Sequence, residues 1–327
     1  MLSLSAALLV LLALSLASMS IGAYRKVSLY TVLEYVLHSK RVPPIYAAII
    51  HVRLLRTLAG VIVGAALAFS GASLQYVFRN PLADPYIFGI ASGAALGVIL
   101  SLYWGQASPM ALYTAASLGA IAALALVAAG GVLGGGTAFS YIVAGVGIGY
   151  LLWAMSMILV LEMGPRAHYS AIWLFGTLAY IDSAELRISL IVVIAVLAVA
   201  LSLHRRYSRL LLGEEVSAIY GTPYRRALLE LTVLSGVATA AATAMAGPVG
   251  FVGLVAPWIA RLTGTTLYAG FIASTVVWGS SLVLFSDVTA RLLGGPVELP
   301  LTAIMSFVGV PFIIYIMVKL RGSSAWR

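Results

Sequence analysis

Long apolar runs recur along the whole chain, and they limit what it can fold into. Most are near the 20 residues that a helix needs to cross a bilayer. They are continuous, which disfavours the alternating pattern of a β-barrel. Hydrophobic residues make up 62% of the chain and charged residues 9%, more apolar surface than a soluble globule can cover. The sequence therefore predicts an all-α polytopic membrane protein with about ten transmembrane helices, in a single domain over 1–327. The predicted spans lie near 3–23, 56–78, 88–104, 110–133, 139–161, 187–203, 227–246, 247–264, 268–292 and 301–320.

The first apolar run is open to two interpretations. No Lys or Arg precedes it, and the first basic residue is Arg25. A cleaved signal peptide usually begins with positive charge and has a shorter apolar core. We therefore expect a first membrane span, with a cleaved signal as the alternative.

The polar stretches between the spans indicate the topology. Segments 24–55 and 162–186 are predicted external loops, and 204–226 is the most polar, predicted cytoplasmic loop. With ten spans, both termini are expected in the cytoplasm of a cell-membrane protein. Basic residues divide almost equally between the two sides of the membrane, so the positive-inside rule gives little indication of which side is cytoplasmic. The basic residues on the predicted outer side then need an explanation other than topology. The net charge of +9 suits anionic lipid headgroups, and no pattern indicates nucleic-acid binding.

The sequence offers little chemistry for catalysis. It has no cysteine, and its four histidines are not at metal-ligand spacing. The glycine-rich run 130–137 lacks the Lys-Ser/Thr pair of a phosphate-binding loop. We therefore expect no enzyme, no bound metal and no cofactor in this chain, and energy supplied by another subunit.

Two kinds of local signal predict helix packing and turns. Glycine and alanine recur at helical spacing between Gly60 and Gly71, as expected where helices approach closely in lipid. After the second span, Asn80-Pro81 and Asp84-Pro85 interrupt the apolar sequence. Asn and Asp cap helices and Pro fits a first turn, so this stretch is predicted to be a rigid turn.

Four segments resemble the FecCD/BtuC-type permeases, the membrane subunits of ABC importers for iron–siderophores, haem and cobalamin. They read RLLRTLAGVIVGAALAFSGASLQYVFRNPLADPYIFGIASGAALG (53–97), LLLGEEVSAIYGTP (210–223), GPVGFVGLVAPWIARL (247–262) and SDVTARLLGGPVELPLTAIMSFVGVPFIIYIM (286–317). Leu55 stands where the family usually has Pro, and Trp258 where it often has His. The resemblance implies a type II ABC importer permease. The signature turns that carry it are Asn80, Pro81, Asp84, Pro85, Gly247, Pro248, Gly250 and Pro257.

The resemblance also implies functional surfaces. In such permeases outer-face arginines dock a two-lobed binding protein, and the matching residues are Arg53, Arg56 and Arg291. The simpler alternatives are snorkelling at a helix end and pairing of Arg291 with Asp287. A cytoplasmic coupling element would contact the ATPase subunit through Gly213, Glu214, Glu215, Ala218 and Gly221. A cytoplasmic gate would lie at the start of the fifth span, at Thr137, Ala138, Phe139, Ser140 and Tyr141.

The implied partners are a second copy of the chain, two ABC ATPase subunits that hold ATP and Mg²⁺, an extracytoplasmic binding protein and membrane lipid. The implied substrate is an iron–siderophore-type chelate, with haem and cobalamin as alternatives. A transporter driven by an ion gradient is the rival class. It is disfavoured because span centres carry no carboxylate, and Glu230 is the only weak candidate. A permease for bare metal ions would need His or Asp along the path, and none is evident there.

Overall fold

The computed structural model describes residues 4–22, 27–38, 42–164, 173–212, 217, 219–262, 267–294 and 298–319. Within these ranges the α-helices, numbered in chain order, are α1 Leu4–Ser20, α2 Leu29–His38, α3 Pro44–Phe78, α4 Ile90–Tyr103, α5 Pro109–Leu133, α6 Ala138–Met163, α7 Ser183–Ser202, α8 His204–Ser208, α9 Tyr224–Ala246, α10 Val252–Leu262, α11 Tyr268–Leu293 and α12 Leu301–Lys319. Two 3₁₀ turns lie at Pro85–Phe88 and Arg209–Leu212, and residues 173–174, 217 and 219 are also helical.

The all-helical fold class is confirmed. By length and composition, six helices are apolar enough to cross a membrane, namely α3, α5, α6, α7, α9 and α11. Four shorter apolar helices, α1, α4, α10 and α12 (over Leu301–Ile316), accompany them. These ten correspond to the ten predicted spans, although the short ones make the count of ten approximate.

The predicted external loop 24–55 is wrong as a loop. Helix α2 lies inside it, and α3 begins at Pro44 rather than near residue 56. Pro44 suits the first turn of a helix, and the following residues are largely apolar. Helix α3 has 35 residues and is therefore about 52 Å long at 1.5 Å per residue. It extends well beyond a hydrocarbon core of roughly 30 Å.

Helix α3 is the central element, and 89% of its most apolar 18-residue stretch is buried. It packs on α9, α10 and α11. Gly64 has no room for a side chain, because a Cβ there would lie 2.5 Å from the Cα of Ser280 on α11. Gly71 meets the backbone of Gly253 on α10 in the same way. The small residues predicted to mediate packing therefore do so.

The turn after α3 is capped as predicted. The Asn80 side chain accepts from the Leu82 N–H at 2.9 Å. The Asp84 carboxylate accepts from the Tyr86 N–H at 2.8 Å and begins the 3₁₀ turn Pro85–Phe88. The Tyr86 hydroxyl accepts in turn from the Val249 N–H at 2.9 Å. The turn is thereby joined to the segment before α10.

Candidate functional site

Four charged side chains meet at the end of the bundle that is predicted to face outward. This outer network consists of Arg56 on α3, Asp287 and Arg291 on α11, and Glu298 shortly before α12. Arg56 donates through Nε to Asp287 at 2.7 Å and through both terminal nitrogens to Glu298 at 2.8 Å each. Arg291 lies 2.7 Å from the second oxygen of Asp287. The Asp287 side chain is 0% exposed, so it stabilises two buried cations.

Arg53 and Arg291 also complete the C-terminal end of α1. Arg53 donates to the carbonyl oxygens of Met19 and Ser20 at 3.1 and 2.9 Å. Arg291 donates to the carbonyls of Ser18 and Ile21 and to the Ser18 hydroxyl. The last carbonyls of a helix lack partners within it and favour positive charge. Helix α1 has no basic residue in its last turn, so α3 and α11 supply that charge.

The three arginines predicted to dock a binding protein are therefore brought together, but all three are engaged internally. Arg53 and Arg56 are 6% and 8% exposed. The alternative contact of Arg291 with Asp287 is present, and snorkelling does not describe Arg53 or Arg56. Docking stays a prediction. Sequence reasoning missed Glu298 as a partner of Arg56, although it is the Glu of the ELP tripeptide in a resembling segment.

At the opposite, predicted cytoplasmic end, a second group of charges joins α8 to α9. This cytoplasmic network consists of Arg206, Tyr207, Arg226 and Glu230. The Glu230 carboxylate accepts from Arg206 and from Arg226 at 3.0 Å each. Burial raises the pKa of Tyr207 to about 12, so its hydroxyl stays protonated and donates to Glu230 at 3.4 Å. Glu230, the one candidate for ion coupling, is thus neutralised by two arginines.

At the same end, the predicted coupling region contacts the bundle core. The Tyr207 ring is fully buried and lies edge-on to Tyr268 of α11, with ring centroids 5.2 Å apart. The Tyr268 hydroxyl is 3.1 Å from that of Ser73 on α3. Arg79, just after α3, donates to the Leu210 carbonyl at 3.0 Å. Segment 204–212 is therefore in direct contact with α11 and with the residue that follows α3.

The predicted coupling residues are only partly covered by the structure. Gly213, Glu214, Glu215 and Ala218 lie outside the described residues. Gly221 is described and has φ of 74°, a left-handed conformation that suits glycine. The short helix α8 lies in the same predicted cytoplasmic loop, before these residues. The coupling role of all five residues stays a prediction.

The predicted gate residues divide into two groups. Thr137 and Ser140 form a capping box that begins α6. Tyr141 is 1% exposed, and its ring lies where a side chain at Gly131 of α5 would be. The Phe139 side chain points away from the helical bundle and is 75% exposed. Ala138 beside it is partly buried. A gating role stays a prediction, and Phe139 is the side chain free to serve it.

Several helices present apolar faces without a neighbour in the monomer, among them α1, α5, α6, α7 and α12. Only 17% of the most apolar stretch of α6 is buried, and α12 is exposed along one face at helical spacing. The one cation on that face of α12 among the described residues is Lys319, which lies over the Tyr315 ring. Within the described ranges no three His, Asp or Glu side chains come together to hold a metal ion. The open face of α6 consists of Phe139, Val143, Val146, Tyr150, Met157 and Leu161, and that of α12 of Phe307, Val310, Ile314, Tyr315 and Val318; Leu151, Trp153, Met155 and Ile158 are exposed elsewhere on α6.

The remaining signature residues form a structural joint at the predicted outer end. Gly247 ends α9 with φ of 69°, and a side chain there would collide with the Trp173 carbonyl. The Pro248 carbonyl accepts from the Thr302 hydroxyl at 2.7 Å, and the Gly250 N–H donates to the same hydroxyl at 3.4 Å. This joint fixes the first turn of α12. Pro257 lies inside α10 and does not end it.

Known proteins resemble the chain over nearly its whole length. The model of the FecCD transport family matches residues 8–319. The hemin transport system permease protein HmuU of Yersinia pestis is 31% identical over 278 residues, covering 83% of each chain. The cobalamin import system permease protein BtuC of Halobacterium salinarum is 34% identical, covering 81% of this chain and 72% of that protein. The Fe(3+)-citrate import system permease protein YfmD of Bacillus subtilis is 34% identical, covering 82% and 80%.

A solved structure also resembles the chain in three dimensions. It shows an inward-facing conformation of a transporter assigned to the metal-chelate type of ABC transporters. The TM-score is 0.84 at 28% sequence identity, and the alignment covers 97% of this chain and 99% of that one. The likeness therefore extends to the whole helical bundle.

Proposed function

The chain belongs to the FecCD transport family and is a permease subunit of an ABC importer for metal chelates, and on this premise we propose that it forms half of a homodimer that passes an iron–siderophore-type chelate across the cell membrane. Haem and cobalamin are the alternative cargoes. Two separate ATPase subunits bind and hydrolyse ATP with Mg²⁺. An extracytoplasmic binding protein delivers the substrate, and the chain has no catalytic role.

The whole-length likeness to a metal-chelate ABC transporter chain is the observation that most supports this proposal. The family resemblance implies a path at the dimer axis lined by α6 and α12, and the uncharged side chains exposed on their open faces suit such a path. An apolar wall without ligating groups suits a large chelate that must be released again. It is less suited to a bare metal ion, which needs oxygen or nitrogen ligands.

ATP would drive transport by a change of conformation. Nucleotide can shift the permease between outward- and inward-open states only if the ATPase binds those states differently. The contacts of segment 204–212 with α3, α9 and α11 give such a difference a route into the bundle. Phe139 then stands at the inner end of the path on α6.

Purification of the tagged chain from its native host in mild detergent, with mass spectrometry of the complex, tests the proposal. We expect a stoichiometric ABC ATPase and two copies of the permease. The binding protein that accompanies them can be screened against ferric siderophores, haem and cobalamin. A homo-oligomer without an ATPase, under conditions that preserve other ABC complexes, would contradict the proposal and favour the gradient-driven class.

A further inference from the structure

Each of the three nitrogens of Arg56 already donates to a carboxylate in the outer network. Its Nε donates to Asp287, and its two terminal nitrogens donate to the two oxygens of Glu298. This bidentate geometry is the strongest that a guanidinium forms with a carboxylate. An external carboxylate that approaches the two terminal nitrogens of Arg56 for the same bidentate contact must therefore compete with Glu298.

The two carboxylates that hold Arg56 differ in access to solvent. The Asp287 side chain is 0% exposed and also pairs with Arg291. The Glu298 side chain is 37% exposed, whereas that of Arg56 is 10% exposed. Glu298 therefore covers Arg56 on its solvent side. Departure of Glu298 would expose Arg56 but keep its ion pair with Asp287, whereas departure of Asp287 would break the buried pairs of both arginines.

The charge balance of the outer network points the same way. Arg56 and Arg291 are matched by Asp287 and Glu298, so the four groups sum to zero. An acidic partner is attracted by net positive charge, which the neighbouring Arg53 supplies while Glu298 is in place. Departure of Glu298 would add one further positive charge, on a planar fork already oriented by Asp287.

We propose that Glu298 is a displaceable internal ligand of Arg56, and that a docking binding protein replaces the Glu298 carboxylate with its own. This inference rests on the docking proposed above. It makes Glu298 a residue that determines docking specificity. A partner must present a carboxylate able to engage both terminal nitrogens of Arg56, and weaker acidic contacts do not displace Glu298.

The local structure allows this exchange without unwinding α12. Glu298 lies three residues before Leu301, where α12 begins. The Leu301 N–H donates to the Gly176 carbonyl at 3.1 Å, and the Thr302 hydroxyl donates to that of Pro248. These bonds hold the first turn of α12 in place. Only the short segment before the helix has to move.

The first test measures binding of the co-purified binding protein to the permease complex in nanodiscs. We compare wild type, Glu298→Gln and the matched control Glu162→Gln, an exposed carboxylate at the predicted outer end of α6. Glutamine keeps the shape but removes the competing charge, so Glu298→Gln should bind roughly fivefold or more tightly. Glu162→Gln should bind like wild type. Unchanged or weaker binding by Glu298→Gln would overturn the exchange.

A second test needs the permease alone. Phenylglyoxal modifies accessible guanidinium groups, and peptide mass spectrometry reports the modified fraction of Arg56. We expect Arg56 to be protected in wild type and Glu162→Gln, and modified several-fold more in Glu298→Ala, which removes the covering side chain. Equal protection in all three would overturn the role of Glu298 as the covering ligand. Failure of wild type to bind the binding protein at all would instead contradict the proposed docking, and the exchange with it.

Discussion

Gln75 of α3 donates through Nε2 to the carbonyl oxygen of Gly253 on α10, at 3.2 Å. This is the carbonyl that the helix itself cannot satisfy, because Pro257 has no N–H to donate four residues later. The Oε1 of the same amide accepts from Arg261, also on α10, at 2.7 Å. One buried glutamine therefore compensates for the proline and fastens α10 to the central helix.

Replacing this glutamine should destabilise the bundle. Gln75→Ala leaves the Gly253 carbonyl and one Arg261 donor without their partners. Hydrogen bonds within membranes contribute about 1–2 kcal/mol at most, so we expect a loss of that order for each of the two contacts. Thermal unfolding in detergent measures it. Gln106→Ala, in the exposed turn after α4, is the control and should unfold like wild type. Equal unfolding temperatures for both variants would refute this role of Gln75.

Asp287 is expected to be the most sensitive position of the outer network. Asp287→Asn removes the buried counter-charge of Arg56 and Arg291. Breaking a buried ion pair from one side costs about 3–5 kcal/mol. Asp182→Asn is the matched control, because Asp182 caps α7 at the surface and Asn caps a helix equally well. Expression and unfolding temperature of the two variants give the comparison. If the Asp287→Asn variant is as stable as the control, Glu298 alone is sufficient to balance the charges of Arg56 and Arg291.

The absence of cysteine allows a direct test of the path. Val143 and Tyr150 lie on the open face of α6. The variants Val143→Cys and Tyr150→Cys should therefore react with a water-soluble maleimide if that face lines an aqueous path. Leu118→Cys on α5 is 68% exposed in the monomer but is expected to face lipid, so it should stay unlabelled. Buried Ser156→Cys, at 2% exposure, controls for unfolding. Labelling of Leu118→Cys but not of the two α6 positions would reverse the assignment.

Tyr207 is expected to transmit motion from segment 204–212 by ring packing rather than by its hydroxyl. The ring is fully buried against Tyr268, whereas the contact of the hydroxyl with Glu230 is 3.4 Å long. Tyr207→Phe should keep the wild-type ratio of ATP hydrolysed to substrate imported in proteoliposomes. Tyr207→Ala opens a cavity that costs about 3–5 kcal/mol, and the ratio should rise. A Phe variant as uncoupled as the Ala variant would assign transmission to the hydroxyl.

Much of this molecule could be predicted from local sequence. The apolar runs predict the spanning helices because a span must bury about 20 residues. Asn80 and Asp84 predict their own caps because these bonds reach only two residues along the chain. The coupling and gate assignments came from family resemblance, since nothing local to Thr137 or Gly213 indicates them.

The prediction of an external loop over 24–55 is wrong because the charged residues near its end do not mark the end of a span. Arg53 and Arg56 lie inside α3 and are satisfied by Met19, Ser20, Asp287 and Glu298. Those partners are distant in sequence or belong to other helices. Such pairing depends on tertiary structure and leaves no local pattern. The ion pair of Glu230 with Arg206 also depends on tertiary structure and leaves no local pattern in the sequence.

Uptake of the chelate into proteoliposomes that contain the purified complex tests the central claim most directly. The substrate and binding protein are added outside, ATP and Mg²⁺ are enclosed, and ion gradients are collapsed with ionophores. We predict that uptake needs the ATPase subunits and hydrolysable ATP and continues when the gradients are gone. Uptake by the permease without ATPase or ATP, abolished by the ionophores, would contradict the account.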